Sequence, residues 1–255
     1  MLWLHGAKIR IAERMAYRGE YFISLITMFV LELTGPFFAF IIYHNTPGFA
    51  GWTFFDILLL QGILLIVKGF SFFSFHGIVW NSNLLMQKGE LDTILLKPRN
   101  SLWMLICSSF DAEDIAKFVG GLIITGYALF NIQSFTMLGF FVMIILMICA
   151  CGFYFMVALL LSSFIIRFIQ SWRIYEIVEV FEVAGEYPKS IYPKSVGTFF
   201  TTLIPIFIAG FLPAKALLGA YSMDMIIAPL CVLALCLISL KAWFSSIRNY
   251  SSAGG

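Results

Sequence analysis

Six long apolar runs divide the chain, at residues 21–43, 54–79, 115–130, 135–166, 196–211 and 225–244. A helix needs about 20 residues to cross a hydrocarbon core ~30 Å thick. The runs therefore predict an all-α integral membrane protein with six transmembrane helices. Membrane β-strands would be about ten residues long with alternating polarity, which these runs are not. The run at 135–166 carries no charge and is longer than one crossing needs, so it tilts or projects beyond the bilayer. Gly35-Pro36 interrupts the first run, and Pro205 lies inside the fifth.

The polar stretches between the runs carry their own patterns. In residues 1–20, Arg10, Arg14 and Arg18 recur every four positions beside Ile11, Met15 and Phe22. That spacing predicts an amphipathic elbow helix in the interface, its cations on lipid phosphates, or else a solvated terminus. The apolar run that follows is too long for the core of a cleavable signal and reads as the first span. Residues 80–110 form an inner loop. Within it Gly89 precedes Leu91, Leu95 and Leu96 at helical spacing, and Pro98 stops the run. A short helix results, suited either to docking in a groove of a soluble partner or to a plain membrane-surface connection. Residues 167–195 predict an amphipathic cytoplasmic helix extending the fourth span. Glu176, Glu179 and Glu182 form its acidic stripe, which reads as a second docking face or a solvated one. Residues 245–255 read as a cytoplasmic tail, ending Ser-Ser-Ala-Gly-Gly like a disordered end or a cloning remnant.

Composition supports this reading. Hydrophobic residues make up 61% of the 255, aromatic residues 17% and charged residues only 12%, with 28 Phe among them. Mean hydropathy is +0.94. Soluble domains carry about 25% charged residues, so a soluble enzyme, a disordered chain and a nucleic-acid binder are all excluded. Net charge is only +2, but its distribution is one-sided. With the N-terminus cytoplasmic, 14 of the 16 Lys and Arg fall in inner segments and only Lys215 in an outer loop. The positive-inside rule thus predicts both termini cytoplasmic.

Candidate chemistry is sparse. No GxxxxGK[ST], HExxH or GxSxG occurs, so no catalytic constellation, nucleotide loop or metal site is expected. The five cysteines, Cys107, Cys149, Cys151, Cys231 and Cys236, lie in or beside apolar runs and read as packing residues. Ionisable groups inside spans are costly and mark interiors or wet cavities. Glu32, Lys68 and His76 are such groups. Glu32 and Lys68 fall near mid-membrane on neighbouring spans, where a pair is feasible. They read as substrate contacts, as a gate, or as a structural contact between helices.

Four stretches carry a family resemblance. Lys88-Gly89-Glu90-Leu91-Asp92-Thr93-Ile94-Leu95-Leu96-Lys97-Pro98 resembles the G-x-L-D-x-L-L-x-K/R-P signature of ABC-2-type ABC transporter permeases. Ala16-Tyr17-Arg18 is similar to that family's A-Y-R. Tyr187-Pro188 with Ile191-Tyr192-Pro193 resembles its Y-P…I-Y-P. Pro205, then Leu212-Pro213-Ala214 and Leu217-Leu218-Gly219, resembles its I-P…P-A…L-L-G. The motifs keep family order across 16–219. One departure is Glu186, where a basic residue is expected.

The resemblance implies an elbow helix, six spans and cytoplasmic ends, in the plasma (inner) membrane of a prokaryote. It implies an exporter whose two ATPase subunits bind ATP and Mg, with no cofactor on this chain. It also implies a second permease copy or a paralogous permease as partner, and membrane lipids around both. The coupling helix falls at Gln87 to Leu96, with Lys88, Gly89, Glu90, Leu91, Asp92 and Leu95 between, followed by Lys97 and Pro98. Pro205, Pro213 and Lys215 fall on a short outer helix that closes an extracellular gate. The substrate class stays open among amphipathic small molecules, lipids, glycans and peptides. An ion-coupled carrier using Glu32, Lys68 and His76 and a non-transporting assembly factor are the other two readings of the residues.

Overall fold

In the computed structural model, residues 2–132, 135–168 and 172–250 are described, and among them every regular element is a helix or a helical turn. The helices are α1 (Leu2–Ala16), α2 (Arg18–Glu32), α3 (Thr34–Asn45), α4 (Phe54–Ser71), α5 (Ile78–Lys88) and α6 (Leu91–Leu95). They continue with α7 (Ser101–Ser108), α8 (Ile115–Asn131), α9 (Met137–Arg167), α10 (Trp172–Val183), α11 (Lys194–Thr202), α12 (Phe211–Leu217) and α13 (Asp224–Arg248). Among the described residues, four helical stretches are long and apolar enough to cross a membrane: Arg18–Asn45, Phe54–Lys88, Met137–Arg167 and Asp224–Arg248. The apolar α8 is shorter.

α4 is the centre of the bundle because its ends are chemically marked and its middle is apolar on all sides. Thr53 accepts a hydrogen bond from the Asp56 N–H, and the Asp56 carboxylate accepts one from the Thr53 N–H at 2.8 Å, a reciprocal cap. A single π-helical turn, Phe72–His76, joins α4 to α5. Gly89, at φ +67°, ends α5 in the left-handed conformation that glycine adopts without penalty. α8 runs antiparallel to α4 at backbone contact. A Cβ on Gly62 would lie 2.7 Å from the Thr125 nitrogen, and one on Gly121 would lie 2.5 Å from the Ile66 nitrogen. Small residues at such crossings let helices approach where no hydrophobic effect drives them together. α13 lies antiparallel on α9, where the Ser246 hydroxyl donates to the Ser163 carbonyl at 3.0 Å.

The N-terminal helix ends at Tyr17 rather than running smoothly to residue 20, and α2 begins at Arg18. Arg10 and Arg14 do not simply reach outward. Arg10 donates to the Ser108 carbonyl at 3.2 Å, and Arg14 pairs with Glu113 at 2.7 Å, so both grip the segment leading into α8. Arg18 stays exposed. The first run breaks at Leu33, before Gly35-Pro36, into α2 and α3. α13 continues through Arg248, past the expected start of the tail, and residues 251–255 lie outside those described.

The largest correction concerns 167–211. The polarity of 167–195 places α10 in the cytoplasm, and the run at 196–211 predicts a span. Instead α10 begins only a few residues after Arg167 and runs back along the bundle. Its far end reaches the loop between α3 and α4, where the Tyr187 and Phe49 rings lie 6.0 Å apart. At that same end Lys189 pairs with Asp224, the first residue of α13, at 2.7 Å. α11 then dips into the bundle, and the chain turns at Pro205 through Ile206–Ile208. α12 returns, so that the Leu217 carbonyl accepts from the Thr136 N–H at the head of α9. Residues 194–217 are therefore a re-entrant hairpin. Hydropathy mistakes it for a span because it is buried in protein and equally apolar. Lys189 and Lys194 move to the opposite end from α1. With Lys117 held inside the bundle as well, the 14 cations assigned to inner segments fall by three, which still favours the same end.

Candidate functional site

Two places concentrate chemistry, one at an end of the bundle and one inside it. At the end, α5, α6 and α7 meet. Leu91 is fully buried among Leu105, Leu159, Ile166 and Trp243, and Leu95 packs partly against the same cluster. Leu96 is 85% exposed, and Gln87, Lys88, Glu90, Lys97 and Pro98 around it are exposed as well. The three leucines therefore do not share a face, as their spacing suggested. Leu91 and Leu95 fasten the loop to the bundle, and Leu96 stands out at its tip. Asn100 caps α7 by accepting from the Leu102 N–H at 3.0 Å, which fixes the far side of the loop. Leu91→Ala is expected to destabilise the protein by about 2–5 kcal/mol, as for other fully buried leucines. A lowered melting temperature in detergent, with Leu96→Ala unchanged, checks this.

Inside the bundle, charged groups from five elements converge. Lys68 on α4 pairs with Glu182 on α10 at 2.9 Å, with side-chain exposures of 22% and 8%. Lys117 on α8 bridges Asp114 at 2.8 Å and Glu32 on α2 at 3.8 Å. Glu32 and Lys68 thus do not pair with each other as depth alone allowed. Depth along a helix is countable from sequence, but the face a side chain takes is not. Glu186 lines the same cleft. His76, on the π-turn, stacks flat on Phe72 with ring centroids 4.0 Å apart.

The acidic stripe of α10 is split. Glu182 is buried in this cluster, while Glu176 and Glu179 are exposed. As a three-residue docking face for a soluble partner it is overturned, because α10 lies along the bundle rather than beyond it. The sequence pattern did not single out Lys117, which counts there as an inner-loop cation, or Asp114. Their i, i+3 spacing at the head of an apolar run was the available signal. Tyr154, in the longest apolar run, likewise carries no local signal. At the opposite end, Pro205 forms the floor of the re-entrant hairpin and Pro213 lies in the first turn of α12. The Lys215 ammonium sits 5.8 Å from the centre of the Phe211 ring. Burial, and then the charge of Glu186, raises the Tyr187 phenol above its ordinary value.

The sequence profile described as ABC-2 family transporter protein matches residues 29–254. The chain belongs to that family and is a permease subunit of an ABC transporter, a membrane protein that works with ATPase subunits. No curated protein and no solved structure matches it.

Proposed function

We propose that this chain forms the membrane-spanning part of an exporter in a prokaryotic inner membrane, driven by two separate ATPase subunits that dock on residues 87–98. The observation that carries the reading is the contrast between Leu91, wholly buried, and Leu96, exposed five residues later on the same loop. A partner that seizes Leu96 and its charged neighbours pulls on a segment rooted in the bundle between α5 and α7. ATP and Mg belong on the ATPase, whose closure would move this loop and tilt α4 and α5.

A second permease, the same chain or a related one, completes the assembly in this reading. Two features support it. Of the Arg18–Asn45 stretch, only Ala39 is buried within this chain. Glu176 and Glu179 are exposed on a helix that runs along the bundle, a costly arrangement against lipid. A facing permease, or a wet seam between the two, relieves that cost.

Leu96→Glu is expected to abolish co-purification of the ATPase while leaving the permease monodisperse, because the side chain contributes almost nothing to the fold. Mild solubilisation from the native host, affinity capture and mass spectrometry read the result. The Glu90→Lys, Asp92→Lys double variant is expected to act likewise. Recovery of a nucleotide-binding partner undiminished in both variants would move docking elsewhere.

A further inference from the structure

The buried ionic cluster is unbalanced. Four carboxylates, Glu32, Asp114, Glu182 and Glu186, face two ammonium groups, Lys68 and Lys117. Two carboxyls are left without an ammonium of their own in a region where uncompensated charge is costly. The cleft that Glu32, Lys68, Glu182 and Glu186 line has a volume of about 40 Å³. A single water needs ~10–15 Å³ measured this way, so the cleft admits a group of a few heavy atoms.

Two neutral side chains point to the character of that group. Gln61 is 3% exposed, and both polar atoms of its amide make no hydrogen bond among the described residues. Tyr154 is 1% exposed, and its hydroxyl is equally unpartnered among the described residues. Both line the cleft. Buried polar atoms in native proteins are normally satisfied, and these three stand beside excess carboxylate. A primary ammonium has three N–H donors and no acceptor, the complement of a carboxylate, an amide oxygen and a phenol oxygen.

The cleft does not stand alone. A second cavity of about 230 Å³ shares Tyr154 and Glu182 with it as wall residues. Apart from those two residues its walls are apolar, with Phe153, Val157, Phe181, Ile204 and Leu235 among them. We infer that the two cavities form one binding site for an amphipathic primary amine, its ammonium in the acidic cleft and its hydrocarbon body in the apolar chamber. This rests on the transport reading and gives it a substrate class. Anionic amphiphiles are excluded by the surplus carboxylates, and neutral ones leave the surplus uncompensated.

The test uses octylamine, which is cationic at neutral pH. Tritiated octylamine is expected to bind the purified permease saturably in a neutral maltoside detergent, by scintillation proximity. Octanol and octanoate are expected not to compete. Glu186→Gln is the informative variant, since Glu186 forms no ion pair among the described residues and its change strands no buried cation. It is expected to weaken binding about tenfold or more, the loss of one charge-assisted hydrogen bond. Leu235→Trp, which fills the chamber, is expected to abolish octylamine binding while the protein stays monodisperse. Phosphatidylethanolamine nanodiscs that displace octylamine, where phosphatidylcholine nanodiscs do not, assign the natural amine to a lipid headgroup. No displacement by either assigns it to a soluble amine. Absence of saturable binding, equal competition by octanol, or unchanged affinity in Glu186→Gln overturns the site. No ATPase is present in this assay, so its failure is separable from failure of the docking experiment.

Discussion

Lys68→Met is expected to be among the most damaging single substitutions in the chain, costing about 3–5 kcal/mol. The loss comes less from the missing attraction than from what is left behind. Glu182, 8% exposed and 2.9 Å from the Lys68 ammonium, becomes a buried carboxylate with no cation against it. Neutralising both partners removes that penalty. Lys68→Met combined with Glu182→Gln is therefore expected to recover most of the stability that the single change loses. Fluorescence-detected size exclusion after a heating series, on all three variants and the parent, measures it. Equal losses in the single and double variants would show that the pair is not what holds α4 to α10.

Gly121→Val is expected to abolish the folded protein altogether. A Cβ at that position would meet the Ile66 nitrogen at 2.5 Å and the Leu65 carbonyl carbon at 2.9 Å, which are backbone atoms of a helix buried on nearly every side. Neither can retreat without separating α4 from α8 over their whole length. Gly126, five residues further along α8, has nothing within 4 Å of an added Cβ. Gly126→Ala is accordingly expected to leave yield and melting temperature unchanged. The contrast between two glycines of one helix separates a packing requirement from a general dislike of larger residues. Comparable yields of both variants would place the α4–α8 contact elsewhere.

The sequence revealed some of this and not the rest, for identifiable reasons. The run at 54–79 was legible because a helix buried on all sides is apolar on all sides. Residues 172–187 were not, because the glutamates that make them look soluble are in part the ones that bury a charge. Glu182 reads as polar in a hydropathy profile, and nothing local to it announces Lys68 more than a hundred residues earlier. The hairpin at 194–217 failed in the opposite sense. Phe200, Ile206, Phe207 and Leu212 are buried by neighbouring helices rather than by lipid, and hydropathy does not distinguish the two solvents. Pro205 was visible, but a proline marks a bend without saying whether the chain goes on or turns back. In the loop at 87–98, the motif located the segment. The separation of Leu91 from Leu96 was not legible, because a helix of one turn and a half carries too few positions to define a face.

The continuous stretch from Phe54 to Lys88 also has a mechanical meaning. It is pinned near its middle by Lys68 to α10, leaving arms of about 21 Å and about 30 Å on either side at ~1.5 Å per residue. α4 cannot swing apart from α8, with which it is in backbone contact, so the two would tilt together as a lever with its fulcrum inside the bundle. A sideways displacement of ~3 Å imposed at Lys88 swings Phe54 by about 2 Å in the other direction, with no change in the length of either arm. The π-turn at Phe72–His76 sits on the longer arm, just beyond the fulcrum. Its compliance sets how much of a push at one face of the molecule arrives at the other.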